Sequence, residues 1–155
     1  LAGIFEPSEG LKTPCTPQAV IEMLRYYDIE MTGKKVAVLG RSSVIGKPVA
    51  LLLLNENATV TICHSKTADL RETVREADIV ISAMGRAKMI DGSYIREGAT
   101  LIDVGINTDE DGKLCGDADF ESAEKVAGAI SPVPGGVGSV TTTILAKNLL
   151  SGISE

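Results

Sequence analysis

Apolar runs that read as strands recur along the chain, with helically spaced stretches between them. They are KVAVL ending at Leu39, TVTIC ending at Cys63, DIVISA ending at Ala83, TLIDV ending at Val104, and the shorter VAGAI ending at Ile130. Four of these are almost continuously apolar. Continuity, as opposed to alternation, is what a strand buried on both faces requires, so the pattern predicts a parallel sheet covered by helices on each side. The intervening segments VALLLLNE after Pro48, ADLRETVREA over 68–77 and FESAEKV over 120–126 read as those helices. Strand and helix alternate, which gives the α/β class; separate hairpins and helices in an α+β domain are the reading this order opposes.

Outside that core pattern, Thr16 before Pro17 reads as a helix N-cap with proline at the first helical position. Val20, Met23, Leu24 and Tyr27 supply an apolar stripe for that helix, and Gly33 marks the turn into the first strand. Near the other end, PVPGGVGSVT reads as a rigid glycine-rich loop leading into a helix through Leu150, with Val140, Ile144, Leu145 and Leu149 at helical spacing. The acidic segment DEDGKLCGD over 109–117 carries Asp-Gly at its centre. It reads as a solvated hairpin, because the ligand order of an EF-hand loop is absent.

Composition narrows the class without changing the fold. The 155 residues suit one domain, and a chain of this size buries roughly 70% of its unfolded surface. Hydrophobic residues at 44% and charged residues at 23% argue against disorder, and the 16 glycines follow no collagen period. Fifteen Lys and Arg against 21 Asp and Glu leave a net charge of -6, so no general attraction draws the chain to nucleic acid or to an anionic membrane. Any anion it binds needs a local site. Cys15, Cys63 and Cys115 are far apart and form no C-x-x-C pair, which suggests neither zinc nor disulfides and fits a reducing cytoplasm. The longest apolar run, VALLLL over 49–54, is too short to span a bilayer.

Candidate chemistry begins after the first strand, where Gly40-Arg41-Ser42-Ser43-Val44-Ile45-Gly46-Lys47-Pro48 leads into an apolar helix. A strand, a glycine turn and a helix start together aim backbone N–H groups and the positive end of the helix dipole at a pyrophosphate. The motif is a variant: Ser42 stands at the usual second glycine, and the last glycine falls one residue later than in G-x-G-x-x-G. A plain strand-to-helix turn with a cap is the alternative. An NAD site places a carboxylate at the end of the second strand for the ribose hydroxyls. Here the strand ends Cys63-His64-Ser65-Lys66, with no acid to repel a 2′-phosphate and with a hydroxyl, a lysine and Arg41 able to bind one. That predicts NADP over NAD. His64, the one histidine, has no carboxylate or cysteine partner visible in the sequence and reads as structural.

The words PCTP (14–17), GRSSVIGKP (40–48), CHSKT (63–67), DVGIN (103–107) and PGGVG (134–138) occur in this order. Together they closely resemble the bifunctional methylenetetrahydrofolate dehydrogenase and methenyltetrahydrofolate cyclohydrolase family, the FolD family, over nearly the whole chain. The resemblance implies a Rossmann-like parallel sheet with helices on both faces, NADP as cofactor, tetrahydrofolate derivatives as substrates, and a cytoplasmic homodimer of one-carbon metabolism. The reactions it implies are oxidation of 5,10-methylenetetrahydrofolate to the methenyl form and hydrolysis of that to 10-formyltetrahydrofolate. Carried over by motif position, Gly40, Arg41, Ser42 and Gly46 would lie along the pyrophosphate and 2′-phosphate region. Ser65 would bond the 2′-phosphate and Ile106 would contact the nicotinamide end, with Ile45 and Thr141 as weaker additions. Pro134, Gly135, Gly136, Val137 and Gly138 would border the folate pterin, where small residues let backbone approach a flat ring.

Two departures qualify the match. Ser139 and Val140 replace the Pro and Met of the family's PGGVGPMT, which touches the pterin wall and leaves the cofactor region alone. The family's catalytic Tyr-x-x-x-Lys pair belongs to a domain that precedes these motifs, and the residues four beyond Tyr26, Tyr27 and Tyr94 are Glu30, Met31 and Gly98. Together with the start at Leu1, this leads to the expectation of a single NADP-binding domain over 1–155 with no catalytic residue and no metal ligand of its own. Its terminal helix over 139–150 is then expected to pack on the partner domain. A non-catalytic NADP-binding module and a Rossmann dehydrogenase of another small substrate are the competing classes.

Overall fold

The computed structural model describes residues 17–131. Pro17–Tyr26 form helix α1, which leads through the left-handed Gly33 into strand β1, Lys35–Leu39. Helix α2 (Gly46–Asn55), β2 (Thr59–Cys63), α3 (Leu70–Arg75), β3 (Ile79–Ser82) and β4 (Thr100–Asp103) follow in alternation. The short pair β5 (Asn107–Thr108) and β6 (Leu114–Cys115) forms an antiparallel ribbon, and α4 (Phe120–Glu124) and β7 (Ala129–Ile130) close the described chain. The main sheet has the order β2-β1-β3-β4-β7 and every pairing in it is parallel. This is the α/β parallel sheet that the apolar runs predict, in the Rossmann-like arrangement that the resemblance implies.

Side-chain alternation explains why both faces need helices. Val36, Val38, Ile79, Ile81 and Ile102 point into one core with Val20 and Leu24 of α1 and Val49 and Leu53 of α2. Ala37, Leu39, Val80 and Leu101, from the same strands, point into a second core with Val74 of α3, Ala123 of α4 and Ile95. The sheet thus separates two apolar layers, and continuous runs in β1, β3 and β4 are the sequence signature of being covered twice.

Several local expectations are corrected. Strand β2 is an edge strand: only Cys63 is buried, Val60 is half-buried, and the remaining positions face solvent. Its apolar run therefore does not mean burial on both faces. Tyr27 lies beyond α1 and is 55% exposed, while Val20, Met23 and Leu24 carry the buried stripe. The strand read in VAGAI shortens to Ala129–Ile130. The acidic segment does form a ribbon, but Asp117 at its end is fully buried. Thr16, Cys15, the PGGVG loop and the helix read through Leu150 lie outside the described residues.

Candidate functional site

Strand register aligns the sheet's carboxyl ends. Cys63 pairs with Leu39, Leu39 with Ser82, and Ser82 with Asp103, so four strands finish in one row. The loops starting at His64, Gly40, Ala83 and Val104 rise side by side from that rim. Chain order reverses between β1 and β3, because β2 lies on one side of β1 and β3 and β4 on the other. Such a switch point leaves a crevice between diverging loops, the usual place for a ligand in an open α/β sheet.

Gly40 stands at that point with φ +115°, a conformation that side chains rarely adopt. Its N–H donates to the Cys63 carbonyl at 2.8 Å, and a Cβ on it would overlap the Ala83 carbonyl oxygen. Gly46 is buried, and a Cβ there would overlap the Gly40 carbonyl, so α2 starts as close to β1 as backbone allows. Between the two glycines, the Ser42 hydroxyl accepts the N–H groups of Ile45 at 3.1 Å and Gly46 at 3.3 Å. Ser42 therefore caps the start of α2, in a motif whose middle residue is normally glycine. Arg41 and Ser42 are exposed, and Ile45 is half-buried against the α1–α2 core. Two glycines whose Cβ positions are filled, beside an uncovered Arg and Ser at a helix start, fit a dinucleotide's phosphates.

The neighbouring rim is a tight turn. The His64 N–H donates to Thr67 Oγ1 at 2.8 Å, the Thr67 N–H to the His64 carbonyl at 3.0 Å, and the Lys66 N–H to His64 Nδ1 at 3.1 Å. His64 thus shapes its own loop, as a structural histidine would, and leaves Ser65 exposed one residue past the row. Burial pushes the Cys63 thiol above its ordinary pKa, away from thiolate chemistry. On the far side of the switch point Ile106 is 65% exposed, an apolar surface offered at the rim rather than to the core. Thr141, Pro134, Gly135, Gly136, Val137 and Gly138 lie outside the described residues.

Sequence reasoning misses two buried carboxylates under this rim. Asp103 Oδ1 accepts the N–H groups of Gly105 at 2.9 Å and Asp117 at 3.1 Å, and its Oδ2 accepts that of Ala118 at 2.8 Å. Burial pushes its carboxyl above the ordinary aspartate value; the three N–H bonds oppose that shift and the Asp117 charge adds to it. Asp117 Oδ2 accepts Ser82 Oγ at 2.9 Å and the N–H groups of Met84 at 2.7 Å and Gly85 at 3.3 Å. Its Oδ1 accepts the Arg86 N–H at 2.9 Å and Asn107 Nδ2 at 3.0 Å. The available signal was weak: an acid ending the apolar run TLID, and a Gly-Asp pair closing an otherwise solvated hairpin. Among the described residues no group of His, Cys, Asp and Glu is arranged to hold a metal, and no helix is long and apolar enough to cross a membrane.

The model of the tetrahydrofolate dehydrogenase/cyclohydrolase NAD(P)-binding domain matches residues 14–155. A bifunctional protein FolD from Clostridium botulinum (strain Okra) is 55% identical over 150 residues, covering 97% of this chain and 53% of its own length. The chain therefore spans about half the length of such relatives. Among solved structures, the Campylobacter jejuni FolD dehydrogenase/cyclohydrolase superposes with a TM-score of 0.80 at 44% identity, over 87% of this chain and 48% of that one. The Trypanosoma brucei FolD, solved in complex with NADP cofactor and inhibitor, gives 0.76 at 49% identity, over 88% and 49%.

Proposed function

The chain belongs to the tetrahydrofolate dehydrogenase/cyclohydrolase family, as its NAD(P)-binding domain, and on that premise we propose that it is the cofactor-holding part of a bifunctional folate enzyme. The complete enzyme oxidises 5,10-methylenetetrahydrofolate to 5,10-methenyltetrahydrofolate and hydrolyses that to 10-formyltetrahydrofolate. The observation that carries the reading is Gly40 at the switch point, packed on Ala83 with Gly46 packed on it in turn.

In this reading the backbone of Gly40, Ser42, Ile45 and Gly46 lies along the cofactor's pyrophosphate, and the family motif adds Thr141 to the cofactor contacts. Arg41 and Ser65, exposed on adjacent rims, take the 2′-phosphate, the Arg through a charge-assisted fork. No acid follows β2 to repel that phosphate, since the residues after Cys63 are His64, Ser65 and Lys66. NADP is the cofactor on these grounds. When bound in its oxidised form, it would supply the hydride acceptor for oxidation of the methylene carbon. Ile106 offers its apolar side chain to the nicotinamide end and excludes water there, and Pro134, Gly135, Gly136, Val137 and Gly138 border the pterin.

The chain carries no Tyr-x-x-x-Lys pair to manage protons, so hydride transfer and hydrolysis need residues from the remainder of a complete enzyme. A cytoplasmic homodimer is part of the proposal; exposed Leu51 and Leu54 on α2 and Ile62 on edge strand β2 offer apolar surface for a second copy. Calorimetric titration of the chain with NADP and NAD tests the cofactor reading: tighter NADP binding supports it, and equal affinity overturns it. Spectrophotometric assay of the chain alone, expected to show no turnover of either folate, tests the division of labour.

A further inference from the structure

We propose that Asp117 is a positioning residue that locks the loops after β3 and β4 into one piece, and so sets the spacing between the Gly40 crevice and Ile106. The inference rests on the cofactor reading above. Three successive backbone N–H groups, those of Met84, Gly85 and Arg86, converge on its carboxylate together with Ser82 Oγ. Consecutive amides arranged this way form an anion nest, and here the chain fills its own nest. The main chain of Asp117 holds the far side of the same loop, since its carbonyl accepts the Ile90 N–H at 2.8 Å.

That loop begins at Ala83, whose carbonyl occupies the space a Cβ at Gly40 would need, so it is the wall of the crevice. The bond from Asn107 Nδ2 reaches the same carboxylate from the loop after β4, one residue beyond Ile106. Asp117 is thus shared by the crevice wall and by the residue next to the nicotinamide contact. Burying an acid is costly unless its hydrogen bonds are complete, and five donors complete them here. Among the described residues no hydrogen bond runs from this lock to the adenosine side. Arg41 immediately precedes Ser42, whose hydroxyl holds the start of α2, and Ser65 sits in a turn closed by His64 and Thr67.

That separation gives a test that a merely structural role does not pass. NADP should span both sides of the switch point, whereas adenosine 2′,5′-bisphosphate reaches only the adenosine side. Titrations of the full chain with both ligands, with NADPH fluorescence to report the nicotinamide environment, should separate the two. For Asp117→Asn we expect NADP affinity to fall by about tenfold or more and the NADPH emission change to diminish. Affinity for the bisphosphate should stay within about twofold. Asn107→Ala, which removes one donor and leaves the carboxylate, should shift NADP in the same direction by less, and it decides the matter if Asp117→Asn does not fold. Parallel weakening of both ligands, or no change in either, overturns the proposal while the cofactor reading stands. If the unaltered chain binds neither ligand, the cofactor reading fails first and the proposal falls with it.

Discussion

The carboxylate of Asp103 holds the backbone of Asp117. Asp103 accepts the Asp117 N–H at 3.1 Å, and its carboxylate fills the space where a Cβ at Gly116 would sit. The Asp117 carboxylate fills the same space at Gly105. Each acid therefore requires a glycine beside the other. Gly116→Ala should displace the Asp103 carboxylate from its three N–H donors, and overpacking a site of this kind costs about 1–3 kcal/mol. A urea midpoint unchanged by Gly116→Ala would show that the carboxylate can move aside.

Removing the Asp103 carboxylate has a different cost. Asp103→Ala leaves the N–H groups of Gly105, Asp117 and Ala118 buried without an acceptor, at about 1–3 kcal/mol for each group that water does not reach. The pH dependence has a definite sign. Because burial raises the folded-state pKa of Asp103, the folded chain holds a proton there more readily than the unfolded chain. Its contribution is full below the ordinary aspartate value, about 3.9, and is lost as pH rises through the raised value. The destabilisation by Asp103→Ala should therefore be larger near pH 4 than at pH 7, measured by chemical denaturation at both.

Asp78 behaves in the opposite way. It accepts the Lys35 N–H at 2.9 Å at the start of β1 and pairs with Arg96 at 2.6 Å, and these hold its carboxyl below the ordinary range. Stability from this group is present above the ordinary aspartate value and is lost as pH falls through the lowered one. Asp78→Asn should cost about 1 kcal/mol at pH 7, the half-exposed Arg96 side chain limiting the ion pair's share. The cost should shrink in acid. A melting temperature difference that is constant from pH 7 to pH 3 would contradict this.

Gly46→Ala tests the closeness of α2 to β1. The new methyl would meet backbone on two sides, the Gly40 carbonyl and the Arg41 Cα, and neither is a flexible side-chain end that can swing away. We expect a loss of about 1–3 kcal/mol in stability and a weakened cofactor site together, because the helix start must move off the strand. Unchanged thermal stability with normal NADP titration would show that α2 tolerates the shift.

Arg41→Ala separates the two nicotinamide cofactors. Arg41 is exposed and caps nothing in the fold, so its loss should leave stability nearly unchanged. Loss of a charge-assisted phosphate contact should weaken NADP by about 1.5–3 kcal/mol, one to two decades, with NAD affinity unaffected. An equal loss for both cofactors in calorimetry would place Arg41 away from the 2′-phosphate.

The alternating apolar runs by themselves determined the α/β class, the bounds of β1 and β2 to the residue, and the glycine turn at the end of β1, because buried strands and tight turns are local demands on residue type. Local pattern could not tell an edge strand from a central one, so the TVTIC run of β2 read like its neighbours although most of it faces solvent. Nor could it tell a capping Ser42 from one free to meet a ligand, since that depends on where the N–H groups of Ile45 and Gly46 turn. Asp117 is the clearest case of what tertiary structure alone decided. In sequence it closes an acidic, glycine-containing hairpin, the composition of a solvated loop. Its donors lie 10 to 35 residues away along the chain, on β3, on the loop that follows and at Asn107. Only the folded sheet, by ending β3 and β4 in the same row, brings those donors around one carboxylate and makes burying its charge tolerable.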